Sequence, residues 1–228
     1  MYTNLQNNKR YIAKSGEIRF SSILSCSFVI TMSTVNLKRR IKAVKWSHIS
    51  EFTEQRIFDE FILGNRVRLS QNLHDTLTSK MATLGINELQ DVVLKLIAPN
   101  GQTTFVGVLD FVPNRGNNTV FCPDWLLVEN LKIYNLTLVN MSIMKAQPHI
   151  ASILRFESNF SDSADNRATL YDRVKHLTLI AEGDTLLADI SGRDAQFVLK
   201  RCLPRKKVLR LTLNNGEPNF VVKINQAG

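Results

Sequence analysis

One cysteine and two histidines are the residues of this sequence that could support nucleophilic catalysis. Cys122 would act as a nucleophile only if a base such as His74 or His149 lay beside it in a partly open, electropositive setting. Cys122 stands between Phe121 and Pro123, at the end of an apolar run. This position favours packing in the core over catalysis.

A second candidate for chemistry is the pair Asp184-Thr185. Aspartic proteases carry the order Asp-Thr/Ser-Gly, in which the glycine lets the backbone approach closely. Here Gly183 precedes Asp184, and Leu186 follows Thr185. The order is reversed, so a turn is the better interpretation. A barrel-fold hydrolase would need a paired Asp-Thr-Gly motif or a Cys/His dyad, and neither pattern is found in the sequence.

The histidines and cysteines do not have the spacing of metal ligands. Three widely separated cysteines form neither a disulfide framework nor a CxxC pair, which favours a reducing compartment. The sequence therefore predicts no catalytic residue, no cofactor and no metal site. The residues concerned are His48, His74, His149, His176, Cys26, Cys122 and Cys202.

The net charge of +9 is concentrated in the N-terminal part of the chain. Residues 1–45 contain nine basic residues and one acidic residue, whereas residues 46–228 contain 20 basic and 19 acidic residues. The nearly neutral remainder argues against a nucleic-acid partner. The apolar run at residues 20–32 is too short to span a membrane, and its basic flanks resemble a targeting leader. We therefore expect residues 1–45 to be a basic leader or a disordered tail outside the fold.

The centre of the chain is predicted to contain two strands. Residues 105–112 alternate with few polar side chains on either face, which is typical of a strand in a barrel or a sheet core. Residues 113–118 are rich in turn formers, and residues 119–121 return as a second strand. These strands predict a packed core but do not indicate a function.

A short helix is predicted to follow the second strand. Pro123 suits its first turn, because proline has no N–H to leave unpaired there. Trp125, Val128 and Leu131 have helical spacing on one face. Trp125 is therefore interpreted as a core residue rather than a contact residue.

The rest of the chain also reads as short strands with single helices. Ser70 is a suitable N-cap for a helix with Leu73, Leu77 and Met81 on one stripe, and Gly85 would end it. Further strands are predicted at 66–69, 89–97, 133–144, 150–156, 185–190, 195–201 and 208–213, and a second helix carries Leu170, Val174 and Leu177. A break at 146–149 suggests a domain boundary. The pattern indicates an α+β, β-rich protein with domains at 46–147 and 148–228.

A basic run at residues 201–207 ends in Arg205-Lys206-Lys207. We interpret this run as a solvated turn. The alternative is a site for a partner or for an anionic surface.

An ordered set of motifs over residues 64–213 resembles the ubiquitin fusion degradation protein 1 family. The family has a G-V-L-E-F-V strand, an L-P-H-W-M-M helix start and a K-G-D-T turn. The matching segments here are 107–112 (GVLDFV), 121–126 (FCPDWL) and 182–185 (EGDT), joined by 66–70 with Leu73 and Leu77, 84–86, 93–96 and 166–174. The match is weak over residues 46–63.

This resemblance implies a double-psi β-barrel subdomain at 46–147, followed by a smaller α/β subdomain at 148–228. It also implies a non-enzymatic adaptor that binds ubiquitin chains. With a nuclear-protein-localisation-type partner, such an adaptor presents ubiquitinated proteins to a valosin-containing-protein-type AAA unfoldase in ER-associated degradation. The family's F-x-G-x-G-x-x-L-type unfoldase-docking motif does not occur in these 228 residues. The resemblance therefore implies docking to the unfoldase and to the partner less directly than it implies ubiquitin binding.

The expected location is the cytoplasm, which includes the ER surface. If residues 1–45 are a leader, the alternative is an organelle-targeted paralogue that serves a plastid protein-import machinery. Neither the residues nor the resemblance assigns the ubiquitin contact to particular positions, because one sequence does not show which apolar residues are exposed.

Overall fold

A computed structural model describes residues 39–45, 63–113, 118–144, 148–214 and 217–227 of the chain. These residues form a β-rich α+β fold with several sheets, which confirms the class predicted from the sequence. Within them, no helix has the length and apolar character needed to cross a membrane.

The first part of the fold is a closed barrel of six strands. In order around the barrel they are β1, β5, β2, β4, β3 and β6. Closure removes exposed sheet edges, which otherwise pair with other chains. The strands are β1 (Arg39–Lys45), β2 (Arg66–Ser70), β3 (Val93–Ile97), β4 (Thr103–Val112), β5 (Thr119–Cys122) and β6 (Leu138–Met144).

The pairing of these strands has an internal symmetry. β1 pairs with β5 and β2 with β4 in parallel, while β1 pairs with β6, β3 with β4, β2 with β5 and β3 with β6 antiparallel. If β1 is exchanged with β4, β2 with β5 and β3 with β6, the same six pairs with the same directions result. The barrel therefore consists of two interlocked halves, although we find no internal repeat in the sequence.

Strand β1 corrects the predicted start of the fold. We expected residues 1–45 to lie outside it, but Arg39–Lys45 pairs with both β5 and β6 and closes the barrel. The prediction is therefore wrong for residues 39–45. The rest of the predicted leader, residues 1–38, lies outside the described residues, as do residues 46–62.

The first helix, α1 (Gln71–Leu84), packs its predicted stripe of Leu73, Leu77 and Met81 into the barrel core. Gly85 ends the helix with a left-handed φ of 67°. Ser70 stands at the N-cap, but its side chain does not cap the helix. Its hydroxyl instead accepts a hydrogen bond from the backbone N–H of Thr119, at 3.1 Å, and so ties β2 to β5.

The helix predicted after Pro123 has a wider winding than expected. Residues Leu126–Asn130 form a π-helix, in which the N–H of Leu131 donates to the carbonyl of Leu126, five residues earlier. Because π winding rotates each side chain less than an α-helix does, Val128 leaves the predicted buried face and is exposed. Leu131 remains fully buried, as predicted.

The second part of the fold contains a four-stranded sheet in the order β10, β11, β8 and β15, covered by α2. Its core centres on Phe156 and Phe197. The elements are β7 (His149–Ile150), β8 (Ile153–Ser158), α2 (Ala164–Val174), β9 (Leu179–Ile180), β10 (Thr185–Ile190), β11 (Arg193–Leu203), β12 (Leu209–Arg210), β13 (Leu213–Asn214), β14 (Glu217–Pro218) and β15 (Val221–Gln226). A small sheet orders β7, β12 and β9, and β13 pairs with β14. The strand predicted at 208–213 is therefore replaced by two strands of two residues each.

Candidate interaction surfaces

Cys122, the candidate nucleophile, is fully buried in β5, and burial raises the pKa of its thiol well above the ordinary value. His74 lies on α1 with its ring centroid 4.6 Å from that of Phe111, and His149 is exposed in β7. Within the described residues, no hydrogen bond joins Cys122 to either histidine. The thiol is held neutral and shielded from solvent, which is the setting of a packing residue.

Asp184 lies in a tight turn before β10, as the order of its neighbours predicts. Its carboxylate Oδ2 accepts a hydrogen bond from the N–H of Ala181 at 2.8 Å, and its own N–H donates to the Ala181 carbonyl at 3.0 Å. Burial raises the pKa of the Asp184 carboxyl to about 7, against the opposing effect of the Ala181 N–H. The Asp184 side chain thus stabilises the turn through a hydrogen bond, and its buried carboxyl has a pKa near neutral pH.

Replacing Asp184 with asparagine should change how the stability depends on pH. Folding raises this pKa from about 4 to about 7, so the folded state binds the proton more tightly and wild-type stability falls as the pH rises between these values. Asparagine keeps an acceptor for Ala181 and does not titrate. We expect Asp184→Asn to equal the wild type near pH 4 and to exceed its free energy of unfolding by about 2–4 kcal/mol near pH 8. Urea denaturation at both pH values measures this difference, and a constant gap would contradict the raised pKa.

No metal centre is found in the part of the chain that the structure describes: no three His, Cys, Asp or Glu side chains there could hold a metal ion together. His74, His149 and His176 lie on separate elements. His48 lies outside the described residues.

Two asparagines fasten the second part of the fold to the barrel. Asn65, only 3 % exposed, donates from Nδ2 to the Leu179 carbonyl at 2.6 Å. Its Oδ1 accepts from the N–H and from the hydroxyl of Thr178, at 2.9 and 3.2 Å. In a second contact between the two parts, Oδ1 of Asn130 accepts from the N–H of Thr185 at 2.9 Å. These bonds join the two parts of the fold. We call this contact, formed by Asn65, Asn130, Thr178, Leu179 and Thr185, the seam.

Trp125 adds an apolar contact at the seam. The side chain is half-buried and packs against both hydrophobic cores, that of the barrel and that of the second part. Its indole N–H donates to the Gly64 carbonyl at 3.1 Å, and the guanidinium of Arg173 lies 4.5 Å from its ring centroid. The predicted core role of Trp125 therefore extends to joining two cores.

Two cavities, of about 210 and 380 Å³, open along the seam and share Arg66, Thr178 and Leu211 in their linings. Arg210 lines the smaller cavity, and its guanidinium is held by Asp91 at 2.9 Å. Thr178 and Arg210 also form hydrogen bonds that join the two parts of the fold. We therefore assign the cavities to the contact between the two parts.

The loop before β6 and the first residue of that strand expose apolar side chains to solvent. Tyr134 is 88 % exposed, Leu136 51 % and Leu138 49 %. We call residues 132–138 the apolar loop.

Alternation over the strand predicted at 133–144 placed Leu136 and Leu138 on the face opposite Val139. The structure confirms this for Leu138, with Val139 buried. Because β6 begins only at Leu138, the predicted strand is wrong for residues 133–137, and Leu136 lies in the loop. The pattern could not show that the face opposite Val139 meets solvent.

Several hydrogen bonds hold the apolar loop in place. At its start, Nδ2 of Asn100 donates to the carbonyls of Leu131 and Lys132, at 2.9 and 3.2 Å. At its end, the N–H of Leu136 donates to the Ala43 carbonyl at 2.8 Å. Leu136 adopts a φ of 65°, a conformation that costs a leucine about 1–3 kcal/mol. The loop is thus a rigid, strained support for exposed apolar groups.

Comparison with known proteins adds no relative: neither a protein-family model nor a curated protein matches this sequence.

Proposed function

We propose that this chain is a non-enzymatic adaptor that binds ubiquitin chains and presents ubiquitinated proteins to a valosin-containing-protein-type AAA unfoldase. The proposal rests on where the segments that resemble the family's motifs lie in the secondary structure. The segment 107–112 lies in β4, residues 121–126 join β5 to the π-helix, and residues 182–185 form the turn into β10. Each motif thus occupies the kind of element that the resemblance implies.

The symmetry of the barrel supports its assignment as a double-psi barrel. A double-psi barrel is built from two interlocked halves, so exchanging the halves must preserve the strand pairing. The six pairings described above meet this requirement. The smaller second part follows the barrel, in the order that the family resemblance implies.

We propose the apolar loop as the ubiquitin contact. Surfaces of this kind are small apolar patches with a polar rim. Tyr134 and Leu136 supply exposed apolar area, while Lys132 and Glu129 form an ion pair at 3.5 Å beside them. The strained backbone at Leu136 supports this choice, since such outliers persist where the surrounding structure holds them and often serve function.

The test is a titration of fluorescently labelled ubiquitin chains with the full chain, followed by anisotropy. We expect saturable binding in the micromolar range, and the double variant Tyr134→Ser/Leu136→Asn should weaken it about tenfold, equivalent to about 1.4 kcal/mol. Asparagine tolerates the left-handed backbone at position 136, so the loop should keep its shape. The absence of any signal from wild-type protein at high micromolar concentration would overturn the ubiquitin proposal.

A matched control uses an exposed apolar residue on another element. Val221 in β15 is 49 % exposed, and threonine preserves its branched shape there. Val221→Thr should leave ubiquitin binding unchanged. If ubiquitin binds the wild type, and Tyr134→Ser/Leu136→Asn and Val221→Thr both keep that affinity, the ubiquitin contact lies away from the apolar loop. The adaptor proposal then stands.

A further inference from the structure

A strongly basic hollow of about 500 Å³ lies on the second part of the fold, at a distance in sequence from the apolar loop. We call it the basic hollow. Five cationic side chains and one carboxylate line it: Lys200, Arg201, Arg205, Lys206, Lys207 and Glu182. The sequence alone predicted a solvated turn at residues 201–207, with a site for a partner or an anionic surface as the alternative, and the structure adds a concave shape.

A β-bulge turns two consecutive cations toward solvent. In the pairing of β11 with β8, Leu199 faces Phe156 and Arg201 faces Arg155, so Lys200 is the extra residue. Leu199 and Cys202 are fully buried, whereas both Lys200 and Arg201 between them are exposed. A regular strand would have turned one of the two inward.

The turn after β11 is anchored at both ends. Cys202 is fully buried, and its N–H donates to a carboxylate oxygen of Glu182 at 3.0 Å. Its Sγ lies 3.7 Å from the Lys206 carbonyl oxygen, and Val208 is buried where the turn ends. The exposed side chains of Arg205, Lys206 and Lys207 therefore project from a fixed backbone.

Among the described residues, most of these cations form no ion pair within the chain. Lys200 pairs with Glu157 at 3.0 Å. In the described part of the chain, no carboxylate forms an ion pair with Arg201, Arg205, Lys206 or Lys207. In the barrel, burial lowers the pKa of Lys95, and the like charge of Lys207 adds to this effect.

We propose that the basic hollow binds an acidic peptide segment of a partner protein, in which several Asp or Glu side chains each meet one of these cations. Separate carboxylates match cations spread over eight residues of chain, and charge complementarity of this kind steers association. A nucleic acid needs a basic track that continues along its backbone, whereas residues 46–228 as a whole are almost neutral. A concave hollow also fits a peptide better than it fits the plane of a bilayer.

The experiment is an anisotropy titration of a labelled octapeptide of alternating Asp and Glu with the full chain. The variant Arg205→Glu/Lys206→Glu reverses two exposed cations of the hollow. Its matched control, Lys80→Glu/Arg193→Glu, makes the same change in net charge on α1 and at the start of β11. The basic residues 1–38 are identical in all three proteins. We expect the hollow variant to lose at least about tenfold in affinity and the control to stay within about twofold.

Equal losses in the two variants would overturn the proposal, because they would show an attraction to net charge alone. Tighter binding of a single-stranded octanucleotide, or of vesicles that contain phosphatidylserine, would also overturn it in favour of a phosphate ligand. Ubiquitin-chain binding should be the same in the hollow variant and in the wild type. The acidic-peptide proposal and the adaptor proposal can therefore be tested independently of each other.

Discussion

Replacing Trp125 with alanine should lower the free energy of unfolding by about 3 kcal/mol. Removal of a buried tryptophan costs about 3–5 kcal/mol, and Trp125 falls at the lower end because it is half-buried. The variant loses apolar contacts with two cores, the hydrogen bond to Gly64 and the stacking partner of Arg173. For a chain of this size the melting temperature should fall by roughly 6–12 °C.

Trp125→Phe is the matched control for this change. Phenylalanine keeps an aromatic face for Arg173 and most of the apolar contact, but has no N–H for the Gly64 carbonyl. We expect it to cost about 1 kcal/mol, the usual net value of one hydrogen bond. Urea denaturation followed by circular dichroism measures both variants. A loss below about 1 kcal/mol for Trp125→Ala would show that its contacts at the seam contribute little.

Local periodicity predicted the helices and strands whose apolar residues repeat on one face. Leu73, Leu77 and Met81 have the spacing of a helix and are buried together. Val139 and Met141 alternate with exposed neighbours and are buried in β6. In both elements a single period decides the face, so the sequence alone is sufficient.

Elements that depend on distant partners were not predictable in this way. Strand β1 has the sequence RRIKAVK, in which basic residues obscure the alternation, and it is defined by pairing with β5 and β6, which lie much later in the chain. The position of Val128 depends on π winding, which residue spacing does not reveal. A charge count likewise favoured assigning residues 39–45 to the leader, although they close the barrel.

The basic hollow and the apolar loop were likewise only partly predictable from the sequence. The basic run at 201–207 was visible in the sequence, but its concave shape was not. The exposure of both Lys200 and Arg201 follows from a one-residue bulge in the register of β11 with β8. Tyr134 and Leu136 were visible as apolar residues, but their exposure depends on where neighbouring elements end. Burial of an apolar residue follows from pattern, whereas exposure of one depends on the completed fold.

Replacing Asn65 with alanine should cost about 2–4 kcal/mol, the second large effect on stability. Asn65 is buried, and its amide is the partner of three groups from the second part of the fold: the carbonyl of Leu179 and the N–H and hydroxyl of Thr178. Alanine leaves these groups unpaired at the seam, and a buried polar group without a partner costs about 1–3 kcal/mol. No such loss could be expected from the sequence, because Asn65 and Thr178 are 113 residues apart.

Two further variants separate the parts of this effect. Asn130→Ala removes the acceptor of one N–H, that of Thr185, so it should cost less than Asn65→Ala. Asn65→Asp keeps the acceptor for Thr178, but an ionised carboxylate cannot donate to the Leu179 carbonyl. Since a protonated carboxyl can donate, Asn65→Asp should regain part of the lost stability as the pH falls toward about 4. Urea denaturation at about pH 7 and pH 4 measures all three variants. If Asn130→Ala cost as much as Asn65→Ala, or if Asn65→Asp lost stability on acidification relative to the wild type, the hydrogen bonds of Asn65 would not be what secures the seam.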